Sequence, residues 1–123
     1  MSFNDMYLNT GLFVFDLNNL NIKDLKEKVK EVLLQLTDDD YNGINEEYFV
    51  NGKSQLDNAM ESFELKCFKD NELDKENFKK FIKQIIRDSK QSDYYAETKI
   101  KIDEVLTNNK LLIFIAVADN IRN

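Results

Sequence analysis

The densest run of potential ligand atoms in the chain is Asp38-Asp39-Asp40-Tyr41-Asn42-Gly43. Read as D-x-D-x-N-G, it sets Asp38, Asp40 and Asn42 at positions 1, 3 and 5 of a calcium loop, with Gly43 where such a loop reverses. Hard oxygen donors at alternate positions, plus a residue free to turn, are what Ca²⁺ coordination requires. The rest of the loop departs from the pattern. Its twelfth position, which should be a bidentate Glu, is Phe49, and its eighth, which should be apolar, is Asn45. The run therefore reads as an acidic, solvated loop after a helix, and neither a metal nor another cofactor is expected.

Asp16 closes the apolar run Phe13-Val14-Phe15. A carboxylate at the carboxyl end of a strand can hold Mg²⁺ or act as a nucleophile in open α/β sheets. A phosphotransferase of that kind wants a second Asp two residues on, where Asn18 stands. Asp also suits the turn ahead of a helix, and that is the reading taken for it. Cys67 is the single cysteine, so no intrachain disulfide can form, and it falls among Phe63 and Leu65 as a buried thiol. The chain has no histidine, which removes Ser-His and Cys-His nucleophile pairs and zinc sites of the Cys/His kind. Gly11, Gly43 and Gly52 are too scattered to cradle a phosphate. No catalytic residue is assigned, and the chain is read as a binding protein rather than an enzyme.

Charge is more informative. Residues 31–62 hold eight carboxylates (Glu31, Asp38, Asp39, Asp40, Glu46, Glu47, Asp57 and Glu61) against Lys53 alone, a net of −7. The whole chain carries −6, so the remainder sums to +1. Near those carboxylates stand Tyr41, Tyr48 and Phe49. Charge of one sign steers association and aromatics anchor it, so Asp38, Asp39, Asp40, Tyr41, Glu46, Glu47 and Tyr48 are the expected interface for a basic protein. Lys79, Lys80, Lys83, Arg87 and Lys90 form a second, basic run, but Glu72, Glu76 and Asp88 interrupt it. Phosphate affinity needs a concentrated positive patch, so nucleic acid is not expected there.

The elements that must position these groups follow from periodicity. At 123 residues, with 42% apolar and 11% aromatic residues, the chain fits one domain, 1–123, with an ordinary core. Residues 7–16 read as a first strand, apolar on both faces and so central in a sheet. Ile22, Leu25, Val29, Val32, Leu33 and Leu36 make one stripe of a helix from Ile22 to Leu36, with Asn21 as N-cap. From Asp38 to Asn58 the period is lost, and Tyr48-Phe49-Val50 fits either a short strand turning at Asn51-Gly52 or a helical turn. Met60 to Phe68 alternates, with Phe63, Leu65 and Cys67 on one face, as a half-buried strand would. A second helix is expected from Asn71 to Lys90, buried through Phe78, Phe81, Ile82, Ile85 and Ile86 and capped by Asp74 or Asn71. Tyr94 to Ile102 reads as a strand, and Thr107-Asn108-Asn109-Lys110 as a hairpin loop into a further central strand, Leu111 to Val117.

This order predicts an α+β fold: one mixed sheet of four to five strands, two amphipathic helices packed on it, and a C-terminal β-hairpin. The order of elements, and loosely the Tyr41-Asn42-Gly43-Ile44-Asn45 stretch after the first helix, resemble the barstar-like inhibitor family. A ferredoxin-like arrangement has a comparable order. The N-terminal residues show neither a basic stretch nor a long apolar run, and no segment approaches a membrane span, so a cytoplasmic protein is expected. Abundant Asn, Lys and Ile without Pro point to an AT-rich bacterial or phage genome. The expected function is inhibition of a basic toxin, nuclease-like, by an immunity or antitoxin type of protein. A phage anti-defence inhibitor would use the same physics. The enzymatic alternative is a small Ca- or Mg-dependent protein using Asp16 and the 38–42 loop, and the structural one is a module marked by an exposed apolar patch on the sheet.

Overall fold

The computed structural model describes residues 5–37, 49–50, 53–89 and 95–121. Strand β1, Asp5–Asp16, leads through a turn into helix α1, Ile22–Leu36. A two-residue hairpin, β2 (Phe49–Val50) and β3 (Lys53–Ser54), precedes two short helices, α2 (Gln55–Met60) and α3 (Phe63–Cys67). A second small hairpin, β4 (Phe68–Lys69) and β5 (Glu72–Leu73), opens helix α4, Lys75–Ser89. The chain ends in a long hairpin, β6 (Tyr95–Thr107) and β7 (Lys110–Ile121). No helix among the described residues is long and apolar enough to cross a membrane.

The architecture is α+β, as expected, but its main sheet is three-stranded and wholly antiparallel, in the order β1-β7-β6. The predicted mixed sheet of four to five strands is corrected on both counts. Two of the expected strands are absent from it because Phe49–Val50 pairs with Lys53–Ser54 in a separate two-stranded sheet and residues 63–67 are helical. β1 is an edge strand rather than a central one; the centre belongs to β7, which bonds β1 on one side and β6 on the other. The two-residue turn at Asn108-Asn109 has φ of 49° and 61°, the left-handed pair that a tight hairpin with matching twist needs and that Asn tolerates.

Helix α1 matches its expected limits. The Asn21 side chain accepts a hydrogen bond from the Asp24 N–H at 3.1 Å, satisfying one otherwise orphaned donor. Helix α4 is capped by Asp74, whose Oδ1 accepts from the Asn77 N–H at 3.1 Å, and it begins at Lys75 rather than Asn71. Asp70 and Asn71 sit at positive φ, 53° and 63°, as the turn between β4 and β5. The segment read as a strand at Met60 to Phe68 is helical instead. Phe63 and Cys67 are fully buried while Leu65 is 84% exposed, so Leu65 does not share their face. Positions four apart face the same way in either geometry, and only the intervening residue separates the two.

Among the described residues the helices lie on one face of the sheet. Phe13 and Phe15 of β1 meet Phe78 of α4 edge to face, at 5.1 and 5.0 Å between ring centroids. Phe63 of α3 adds contacts to Phe78 and Phe81, so one aromatic cluster joins sheet, α3 and α4. Leu25, Val29, Leu33 and Leu36 bring α1 onto the same core beside Ile113, Ile115 and Val117 of β7. At Gly11 the helix comes so close that a Cβ would lie 2.7 Å from Val32 Cγ1.

Candidate functional site

Every residue of the expected partner interface, Asp38, Asp39, Asp40, Tyr41, Glu46, Glu47 and Tyr48, lies outside the described residues. Around that stretch the described chain supplies its flanks. Glu31 is exposed on α1, and Asp57 of α2 is ion-paired with Lys30 of α1. Phe49 and Val50 pair with Ser54 and Lys53, so these two residues are in a strand pair and not a helical turn, while Tyr48 lies outside the described residues.

Glu31 also borders an open groove of about 630 Å³ between α1 and β1. Asp16 and Asp24 share that border with Lys28 and Lys110, while Phe13, Phe15 and Val29 lie beneath. Asp16 is exposed, and its carboxylate accepts the Asn18 N–H at 3.1 Å while its carbonyl accepts the Asn19 N–H at 3.0 Å. It therefore closes the turn between β1 and α1, the local role that Asp plays in an Asx turn. Among the described residues no group of three or more Cys, Asp or Glu comes together as a metal cluster would.

Cys67 is fully buried, as its apolar neighbours imply. Desolvation pushes its thiol up to about 12, opposed by the charge of Lys66 and reinforced by that of Asp74. A thiol so held stays protonated, and the thiolate is the nucleophilic form. One lysine of the basic run on α4 is likewise held by carboxylates. Lys79 bonds to Glu104 of β6 and lies 3.3 Å from Glu76, while Lys75 Nζ reaches Glu104 Oε2 at 2.9 Å. The hydrogen bond from Lys79, then that from Lys75, holds the Glu104 carboxyl below its ordinary value, and the bond to Glu104 raises Lys79. Glu104 thus links α4 to an edge strand and neutralises part of the positive face.

Sequence reasoning named an exposed apolar patch on the sheet only as the sign of a structural module. It did not place that patch on β1 and β7, which it expected to be covered on both faces. Directly opposed residues of an antiparallel pair share a face, so Leu12 stands beside Phe114 and Val14 beside Leu112 on the side away from the helices. Leu8, Leu12, Val14, Val105 and Phe114 are 67, 41, 46, 49 and 44% exposed. The doubly apolar strands that seemed to require covering on both faces are covered on one. The only available signal was a count: two long amphipathic helices are too few to layer both sides of the sheet.

In comparisons with known proteins, no family model matches the chain, and no curated protein or solved structure matches it either.

Proposed function

We propose that the chain is a non-catalytic binding protein of the immunity type, which neutralises a basic, nuclease-like toxin through an acidic surface. The surface would centre on Asp38, Asp39, Asp40, Tyr41, Glu46, Glu47 and Tyr48. The observation that carries this reading is the concentration of charge: residues 31–62 bear −7 in a chain whose total is −6. A nuclease holds phosphate in a positive cleft, so a dense run of carboxylates is attracted to the same cleft and occludes it. The buried, protonated Cys67 and the turn-bound Asp16 also fit a surface that binds rather than reacts.

The test is a charge reversal. Replacing Asp38, Asp39, Asp40, Glu46 and Glu47 together with Lys should slow association with the co-purified partner by about tenfold or more, and raising salt should slow the native chain but not the variant. An unchanged association rate with no salt dependence would remove the acidic surface from the argument. A phage anti-defence inhibitor would behave identically in this assay and differ in its target. The metal-dependent alternative rests on the D-x-D-x-N-G run, and titration calorimetry with Ca²⁺ and Mg²⁺ separates it: no heat beyond dilution eliminates it.

A further inference from the structure

The face of the sheet away from the helices carries exposed apolar residues with Lys101 and Asp103 on its β6 side. In register across β1, β7 and β6, Thr10, Ala116 and Lys101 form one row, and Leu12, Phe114 and Asp103 form the next. Phe114 is a knob, 44% exposed, and Ala116 beside it leaves a depression. A two-fold axis must bring a surface onto itself, so each feature needs its complement on the same chain. We propose that two copies of this chain pack their open sheet faces together about a two-fold axis running across the strands between these two rows.

That axis sets Phe114 of each copy over Ala116 of the other, large on small, as interdigitating layers require. It sets Leu12 over Thr10 and Leu8 over Val14. On the β6 side it sets Lys101 over Asp103, twice by symmetry, so the polar margin of the face pairs opposite charges. Within one chain these two side chains already stand 4.0 Å apart, both largely exposed. A shift of the axis by half a row, onto the Phe114 row itself, would superpose Phe114 on Phe114 and Asp103 on Asp103.

The area is adequate. With about 3.4 Å per residue and about 4.8 Å between strands, three strands of twelve residues present roughly 590 Å². Two such faces bury roughly 1,200 Å², above the ~1,000 Å² at which specific interfaces begin. Net charge does not prevent it. Among the described side chains, the charged residues on the open face are Asp16, Lys99, Lys101, Asp103 and Lys110, a net of +1. Glu31 and Asp57 belong to the helical layer on the other side of the sheet. In the pair, the Glu31 and Asp57 carboxylates of the two copies are separated by both sheets, well beyond the ~8 Å over which physiological salt screens exposed charges. The proposal is independent of the acidic surface and stands or falls apart from it.

Sedimentation equilibrium of the full chain tests it, with far-UV circular dichroism to check that each variant is folded. The native chain should be a dimer at micromolar concentration. Lys101→Asp and Asp103→Lys should each weaken the dimer about tenfold or more, because each places like charges opposite one another at two contacts. The double variant, Lys101→Asp with Asp103→Lys, restores opposite charges and should recover affinity to within a few-fold. Phe114→Lys should abolish the dimer. A native chain that is monomeric across the concentration range overturns the proposal. So does a dimer that both single charge variants leave unweakened, or one that the double variant fails to restore.

Discussion

Gly11 offers the sharpest test of how the sheet and α1 are fitted together. In Gly11→Ala the new Cβ would lie 2.7 Å from Val32 Cγ1, with Ile115 Cγ2 at 3.4 Å and Leu36 Cδ1 at 3.5 Å. Ordinary carbon contacts are about 3.5–4.0 Å, so only the Val32 contact demands a substantial shift, of roughly 1 Å. Val32 cannot swing aside cheaply, since a β-branched residue in a helix has essentially one side-chain rotamer. Either α1 lifts from β1 or Val32 leaves its rotamer, and overpacking of this kind costs about 1–3 kcal/mol. Replacing a strand Gly with Ala returns about 0.5–1 kcal/mol through chain entropy. The net expectation is a loss of about 1–2 kcal/mol, seen as a fall of roughly 3–10 °C in Tm. Val32→Ala removes the opposing methyl, so in that background Gly11→Ala should be neutral or stabilising. Urea unfolding of the four proteins in this cycle yields the coupling, expected at about 1 kcal/mol or more. A Gly11→Ala variant that is more stable than the native chain, or equally destabilised in both backgrounds, would refute the close approach of α1 to β1.

Two further expectations concern titration. Cys67 should resist thiol reagents in the native protein: with its thiol pushed up to about 12, only about 10⁻⁴ of it is ionised at pH 8, and burial blocks access as well. Because the folded state holds this proton more tightly, Cys67 contributes stability up to about pH 9, and the contribution is lost as pH rises toward about 12; Cys67→Ala should flatten that alkaline decline. Glu104 runs the other way. Its carboxyl is held low by Lys79 and Lys75, so its contribution is present at neutral pH and is lost as pH falls through the folded value. Glu104→Gln should lower stability by up to about 1 kcal/mol at pH 7, the scale of a partly exposed ion pair. The difference should disappear in acid, and an equal deficit at both pH values would mean that packing, not charge, is responsible.

The long elements were legible because a single period described them. Leu25, Val29, Leu33 and Leu36 repeat at helical spacing and are all buried, and the caps at Asn21 and Asp74 are local hydrogen bonds that sequence spacing alone implies. The hairpin at Asn108-Asn109 was legible for the same reason, since its turn chemistry is contained in two residues. Asn71 reads in sequence as the start of a helix, because Asn also serves as a cap, and the turn it makes with Asp70 depends on β4 and β5 finding each other. Met60 to Phe68 was misread because Phe63 and Cys67, four apart, share a face in a strand and in a helix alike.

Sequence alone thus determined the chemistry that the chain lacks: without histidine and with one cysteine, whole classes of site are closed to it whatever its fold. It also determined where the charge lies, since the position of carboxylates along the chain does not depend on packing. Only the tertiary structure decided which side of the apolar strands is covered. Phe13 and Phe15 are buried while Leu12 and Val14 are exposed, although all four are apolar and adjacent. A strand's pattern records that both faces avoid water, but not whether the second layer comes from the same chain. That depends on where α1, α3 and α4 dock, and all of them dock on one face.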